Sequence, residues 1–221
     1  MSDKPRFPAA AALEVARELC QVLKPCCEWN AAESRPFLCV AGSLRRKRET
    51  VGDVEILFVG KWGSVPDGLF SKDVDLAEHA IEQMIESGIL AKRLNSRGSE
   101  IWGPKNKLAL HVASGIPVDF FATRPAFWYN YLVCRTGGAE TNTSLATAAQ
   151  ARGLKWHPYQ VGFTVEDLNR VLGWLAPSGG LPLSAGLLTA PEVHTSKMIP
   201  CHAEADVFAL AGLAYLEPEN R

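Results

Sequence analysis

Seven residues held between two glycines, Asp53-Val54-Glu55-Ile56-Leu57-Phe58-Val59 between Gly52 and Gly60, constrain the fold of this chain more than any other segment. The run reads as a strand from Gly52 to Val59, closed by Gly60. Side chains alternate faces along a strand, so Asp53 and Glu55 point one way while Val54 and Ile56 point into a core. Two carboxylates on one strand face suit magnesium, a hard ion that takes carboxylate and phosphate oxygens in octahedral geometry. Taken alone, the same Asp-x-Glu spacing is better read as an ordinary exposed strand face.

A third carboxylate from a neighbouring strand would complete an arrangement for two ions about 3.5–4 Å apart, able to clamp the attacking and leaving oxygens of an in-line displacement. Asp119, in Ile116-Pro117-Val118-Asp119-Phe120-Phe121, is the candidate. It sits among Val118, Phe120 and Phe121, where an unpaired charge is costly to bury, so a cation or donor is expected beside it. An ordinary ion pair is the competing reading for Asp119.

Upstream, Phe37-Leu38-Cys39-Val40-Ala41 reads as a short buried strand ending at Gly42-Ser43-Leu44-Arg45-Arg46. There, free backbone N–H groups and the Ser43 hydroxyl can meet phosphate oxygens, and Arg46 can add charge-assisted bonds. Gly52 lets a ligand approach the backbone closely. Most Gly-Ser turns are simply turns, so the combination carries the weight: a small cationic element for a polyphosphate, then carboxylates for metal.

The chain has 221 residues, 47% of them apolar, with a formal charge of −1. That suffices for one ordinary core or two small ones and gives no global positive field. A local stripe such as Arg45-Arg46-Lys47-Arg48 can still supply phosphate contacts, although alone it describes a solvated loop. Six cysteines occur without a CxxC pair, and no signal peptide or long apolar span is read, so free thiols in the cytoplasm and no membrane are expected. Cys26-Cys27 and Cys201-His202 lack the spacing of common zinc sites.

Helical spacing predicts helices over 8–24, 73–86, 126–134, 139–152 and 203–211, with strands over 107–113 and 116–122 joined at Ser114-Gly115. Residues 31–36 and 173–200 read as irregular. The order is α/β (α+β): a mixed α/β half, then a mostly helical half, with the boundary near 123–136. Trp102, Trp128, Trp156 and Trp174 read as core rather than base-stacking residues. Lys105 and Lys107 read as a solvated hairpin, with phosphate contact as the alternative, and the five histidines are assigned no role.

Gly42-Ser43-Leu44-Arg45-Arg46 through Gly52-Asp53-Val54-Glu55 resembles the palm signature of the family X DNA polymerases, the group of DNA polymerase beta. Thr136-Gly137-Gly138 followed by Asn142 resembles the start of that family's nucleotide-binding thumb. Glu204-Ala205-Asp206-Val207-Phe208, Gly212-Leu213-Ala214-Tyr215 and Pro218-Glu219-Asn220-Arg221 resemble its closing segment. The resemblance implies a nucleotidyltransferase palm over 1–124 and a thumb-like subdomain over 125–221. It implies that Asp53, Glu55 and Asp119 hold two Mg2+ ions, with Mn2+ as the alternative metal. Gly42, Ser43, Arg46 and Gly52 would bind the triphosphate, and Gly137 and Asn142 the nucleotide. Asp119, nearest the primer 3′ hydroxyl, would promote its deprotonation.

The implied activity is that of a minimal DNA polymerase in DNA repair, adding a nucleotide to a 3′ hydroxyl with pyrophosphate release. Its partners would be a nucleoside triphosphate and primer DNA, gapped or templated. Four departures bear on this. Glu55 stands where many relatives carry aspartate, and Cys134-Arg135 where many carry two aromatics that help judge the sugar. Ala146 replaces an arginine that often reaches the template. The helical domains that grip downstream DNA do not precede the palm signature, which implies weak DNA affinity or an accessory subunit. The alternatives are a template-independent or RNA- or small-molecule-directed nucleotidyltransferase, and a catalytically silent nucleic-acid-binding subunit.

Overall fold

The computed structural model describes residues 5–167 and 198–221 and divides into two units, Met1–Pro125 and Ala126–Arg221. In chain order the first contains β1 (Phe7–Pro8), α1 (Ala9–Leu23), β2 (Trp29–Asn30), β3 (Arg35–Pro36), β4 (Leu38–Val40) and α2 (Gly42–Arg45). It continues with β5 (Thr50–Val51), β6 (Val54–Phe58), β7 (Trp62–Asp67), β8 (Phe70–Asp75), α3 (Leu76–Glu86), β9 (Leu90–Lys92), β10 (Asn106–His111) and β11 (Ile116–Ala122).

Five of these strands form one mixed sheet in the order β4-β6-β11-β10-β9. β6 and β11 run parallel, while β4–β6, β11–β10 and β10–β9 are antiparallel. Val54, Ile56 and Phe58 of β6, with Val118 and Phe120 of β11, share a core with Ala12, Val15, Ala16 and Leu19 of α1 and Ala77, Ile81 and Met84 of α3. Each fully buried aliphatic or aromatic side chain contributes roughly 1.5–3 kcal/mol. Alternation along β6 and β11 therefore fixes which face Glu55 and Asp119 occupy, because a one-residue slip would bury both carboxylates in this core.

Several elements differ from the sequence reading. The segment before Gly42 is not a buried strand: Leu38, Cys39 and Val40 are half-buried because β4 is the edge of the sheet. Asp53 precedes the strand, in the break between β5 and β6. The helix expected over 73–86 begins at Leu76. Asp75 is its N-cap and accepts from the backbone N–H of Ala77 (2.9 Å) and Glu78 (3.1 Å), so residues before it stay extended as β8. β8 pairs with β7 in a hairpin, of which the helical reading over 73–86 took in only the end of β8. Arg35 and Pro36, read as loop, pair with Asn30 and Trp29.

The second unit contains α4 (Trp128–Thr136), α5 (Ala139–Ala151), β12 (Leu154–Trp156), β13 (Gly162–Val165), β14 (Met198–Pro200) and α6 (Glu204–Ala211). Its helices accompany a three-stranded antiparallel sheet, β12-β13-β14, whose strands are too short to show as a pattern in sequence. Val133, Leu145, Leu154, Phe163, Ile199 and Phe208 build its core. The tail closes onto this unit through buried Arg221, which bonds Glu204 (2.7 Å) and the Leu216 carbonyl (2.8 Å) and lies over the rings of Phe208 and Tyr215.

Trp128 and Trp156 are core residues as expected, and half-buried Trp102 donates to Glu82 at 2.6 Å. Trp174, His194 and most of the stretch read as irregular over 173–200 lie outside the described residues. All six cysteines are free thiols, and no helix among the described residues is long and apolar enough to cross a membrane.

Candidate active site

The parallel pairing of β6 with β11 places Asp119 directly opposite Glu55, with Val118 opposite Val54. Both valines are fully buried, so the two carboxylates lie side by side on the other face of the sheet. Asp53 is one residue ahead of β6, half-buried like Glu55 and unlike Val54 between them. Two of the predicted carboxylates thus come from paired positions of neighbouring strands, and the third from the residue just before one of them.

Gly42 explains how Glu55 is accommodated. The backbone at Gly42 has φ +61°, in the left-handed region that favours glycine. A Cβ built there would fall 1.8 Å from Glu55 Oε2. The Ala41 N–H donates to the Glu55 carbonyl at 2.8 Å, tying the start of α2 to β6. Ser43 follows, half-buried, while Leu44 enters the core and anchors the short helix. Arg46 caps α2, its N–H donating to the Gly42 carbonyl at 3.2 Å. Burial and nearby Arg48 pull the Arg46 guanidinium below its usual value, and the charge of Glu55 opposes them. The predicted cationic element and the Glu55 strand are therefore electrostatic neighbours. Gly52 is open: apart from its chain neighbours, a Cβ there would meet nothing within 4 Å among the described residues.

Asp119 has the cation its apolar setting demanded. Arg93, just after β9, forms an ion pair through Nη2 with Asp119 Oδ1, and both side chains are largely buried. The signal for this partner was weak, because Lys92-Arg93 is an unremarked basic pair until β9 is paired two strands away from β11. Lys107 corrects the sequence reading: it is neither solvated nor placed for phosphate. It is buried and bonds Glu78 (3.0 Å) and the Gly103 carbonyl (3.0 Å), while its β11 partner is core residue Phe120.

The donor chemistry of Asp53, Glu55 and Asp119 fits a hard divalent ion. Their carboxylates are not drawn into one cluster, and among the described residues no group of three or more His, Cys, Asp or Glu side chains is gathered to hold a metal. Asp119 is engaged by Arg93, and Glu55 lies against Gly42.

In the second unit, Gly137 ends α4, its N–H donating to the Val133 carbonyl at 2.8 Å, and Gly138 caps α5. Asn142 sits one turn into α5 and donates through Nδ2 to the Cys134 carbonyl at 2.9 Å. Its Oδ1 is buried with no hydrogen-bond partner among the described residues, and a Cβ on Gly137 would approach it to 3.1 Å. Gly137 and Asn142 therefore form one local unit. Residues 131–221, which include both, match the DNA polymerase beta thumb family. Over 225 residues the chain is 26% identical to DNA polymerase lambda of Rattus norvegicus, covering 98% of this chain and 32% of that protein.

The chain is family X polymerase-like.

It spans about a third of the length of that curated relative. The fold is similar to that of Leishmania infantum polymerase beta, solved as a ternary P/T complex: the match covers 98% of this chain and 77% of that one, with a TM-score of 0.66 at 17% identity. Within this family X polymerase-like chain, Cys134 and Arg135 gather other aromatics around them. Cys134 Sγ lies 3.5 Å from the Tyr159 hydroxyl, and the Arg135 guanidinium is 5.3 Å from the Tyr159 ring and 6.0 Å from that of Tyr131. Tyr131 and Tyr159 pack edge to face at 4.9 Å.

Proposed function

We propose that this chain is a nucleotidyltransferase of the DNA polymerase type, adding a nucleotide to a DNA primer 3′ hydroxyl with release of pyrophosphate. The observation that carries the reading is the in-register pair Glu55 and Asp119 on adjacent parallel strands, with Gly42 packed against Glu55. The thumb match over residues 131–221 and the relative solved as a ternary P/T complex support a nucleic-acid substrate.

In this reading Asp53, Glu55 and Asp119 would hold two divalent ions, magnesium or manganese. Such ions supply charge neutralisation at the attacking and leaving oxygens. Ser43, Arg46 and the open backbone at Gly52 orient the triphosphate, with Arg46 giving charge-assisted bonds. Gly137 and Asn142 contact the nucleotide. Asp119 accepts the proton of the 3′ hydroxyl as its oxygen bonds to the α-phosphorus, and the bond to pyrophosphate breaks.

Primer extension on gapped, recessed and single-stranded DNA, with each dNTP and NTP and either metal, tests this. Extension abolished by Asp119→Ala supports the assignment. DNA binding without incorporation on any substrate would leave a silent subunit. Ala146, half-buried against the core of the second unit, favours one alternative, template-independent addition, because it offers no group to a template base. Extension of single-stranded primer at the same rate as gapped DNA would establish that alternative.

A further inference from the structure

Arg93 reaches Asp119 from two strands away. The order β11-β10-β9 puts roughly 9–10 Å between the outer strands. Arg93 N donates to the Leu108 carbonyl at 3.0 Å, and Leu108 stands opposite Asp119 in the β10–β11 register. Its Nε donates to the Ala109 carbonyl at 3.1 Å, and Nη2 completes the ion pair with Asp119 Oδ1. The guanidinium is thus fixed at its root, at its middle and at its tip. A side chain so anchored is part of the carboxylate face rather than a solvated surface charge.

The same face carries Glu55 directly beside Asp119 and Asp53 just before β6. Without a counter-charge, neighbouring carboxylates repel each other and Asp119 bears an uncompensated charge in a largely buried position. A guanidinium in contact with Asp119 relieves both costs, and it also repels any divalent ion approaching that carboxylate.

We propose that Arg93 is a positioning residue that presets the Asp119 carboxylate and, by its fixed positive charge, weakens metal binding at the site, so that the ions are held only when substrate phosphates add their own charge. This rests on the nucleotidyltransferase reading of the three carboxylates. It makes an unusual demand: removing Arg93 strengthens metal binding and impairs turnover together. A purely structural ion pair would impair turnover without strengthening metal binding.

The test is Mn2+ binding to the purified chain without nucleotide, read by electron paramagnetic resonance of the free ion, beside primer extension as a function of Mg2+. Arg93→Gln is expected to bind Mn2+ about tenfold more tightly, to reach half-maximal extension at lower Mg2+, and to turn over at least tenfold more slowly. Arg93→Lys keeps the charge but loses the planar fork. It is expected to bind Mn2+ within about twofold of wild type, with slowed extension, and so decides the matter if the Gln variant does not fold. Unchanged or weaker Mn2+ binding by folded Arg93→Gln overturns the inference alone, as does an Arg93→Lys variant with unaltered turnover. No Mn2+ binding and no extension by the wild-type chain would overturn the nucleotidyltransferase reading, and the inference with it.

Discussion

The Glu55 carboxylate occupies the space where a side chain on Gly42 would begin, its Oε2 falling 1.8 Å from a Cβ built on that glycine. Two segments that looked like separate sequence motifs, one for phosphate and one for metal, are therefore a single packed unit. The Ala41 N–H to Glu55 carbonyl bond at 2.8 Å secures the same junction through the backbone.

Gly42→Ala should then act twice. The left-handed backbone at φ +61° costs a residue with a Cβ about 1–2 kcal/mol, and the methyl group must also push the Glu55 carboxylate aside. Thermal unfolding should report the stability loss. Nucleotide incorporation should fall by more than that loss explains, because a site carboxylate has been displaced.

Gly52→Ala makes the contrasting case. Apart from its chain neighbours, no atom of the described residues lies within 4 Å of the added methyl group, so unfolding should change by less than about 0.5 kcal/mol. If Gly52 is there to admit the triphosphate, the KM for nucleotide should rise at unchanged stability. A KM equal to that of wild type would remove Gly52 from the site.

The Lys107–Glu78 pair lies on the opposite side of β10 from the carboxylate face, so its effects should be confined to stability. Breaking a buried pair costs about 3–5 kcal/mol, and partial exposure of Glu78 lowers the expectation for Lys107→Met to about 2 kcal/mol. Denaturant unfolding measures that loss. At temperatures where the variant stays folded, extension per molecule should match wild type.

The Cys20 and Cys27 thiols are pushed up from 9.0 to about 12, in both cases chiefly by burial. The unfolded chain therefore releases these protons first. Stability from this source is complete below pH 9 and is lost as pH rises towards about 12. Unfolding midpoints should stay level near neutrality and fall above pH 9, with a shallower fall in Cys27→Ala. Parallel slopes in the two proteins would show that Cys27 takes no part.

The sequence by itself determined the local chemistry. Alternation around Glu55 settled which residues share a face, because strand geometry has a period of two and the core accepts only one of the two sets. Helical spacing over 8–24 and 203–211 found α1, observed over Ala9–Leu23, and α6, observed over Glu204–Ala211. Only the tertiary structure decided which distant residues meet. Asp119 was expected to have a cation, but Arg93 could be named only once β9 was paired to β10 and β10 to β11. The hairpin of β7 and β8 and the β12-β13-β14 sheet escaped for the same reason, since their stability comes from cross-strand partners rather than local preference. Periodicity reports a residue's face, and packing alone chooses its partner.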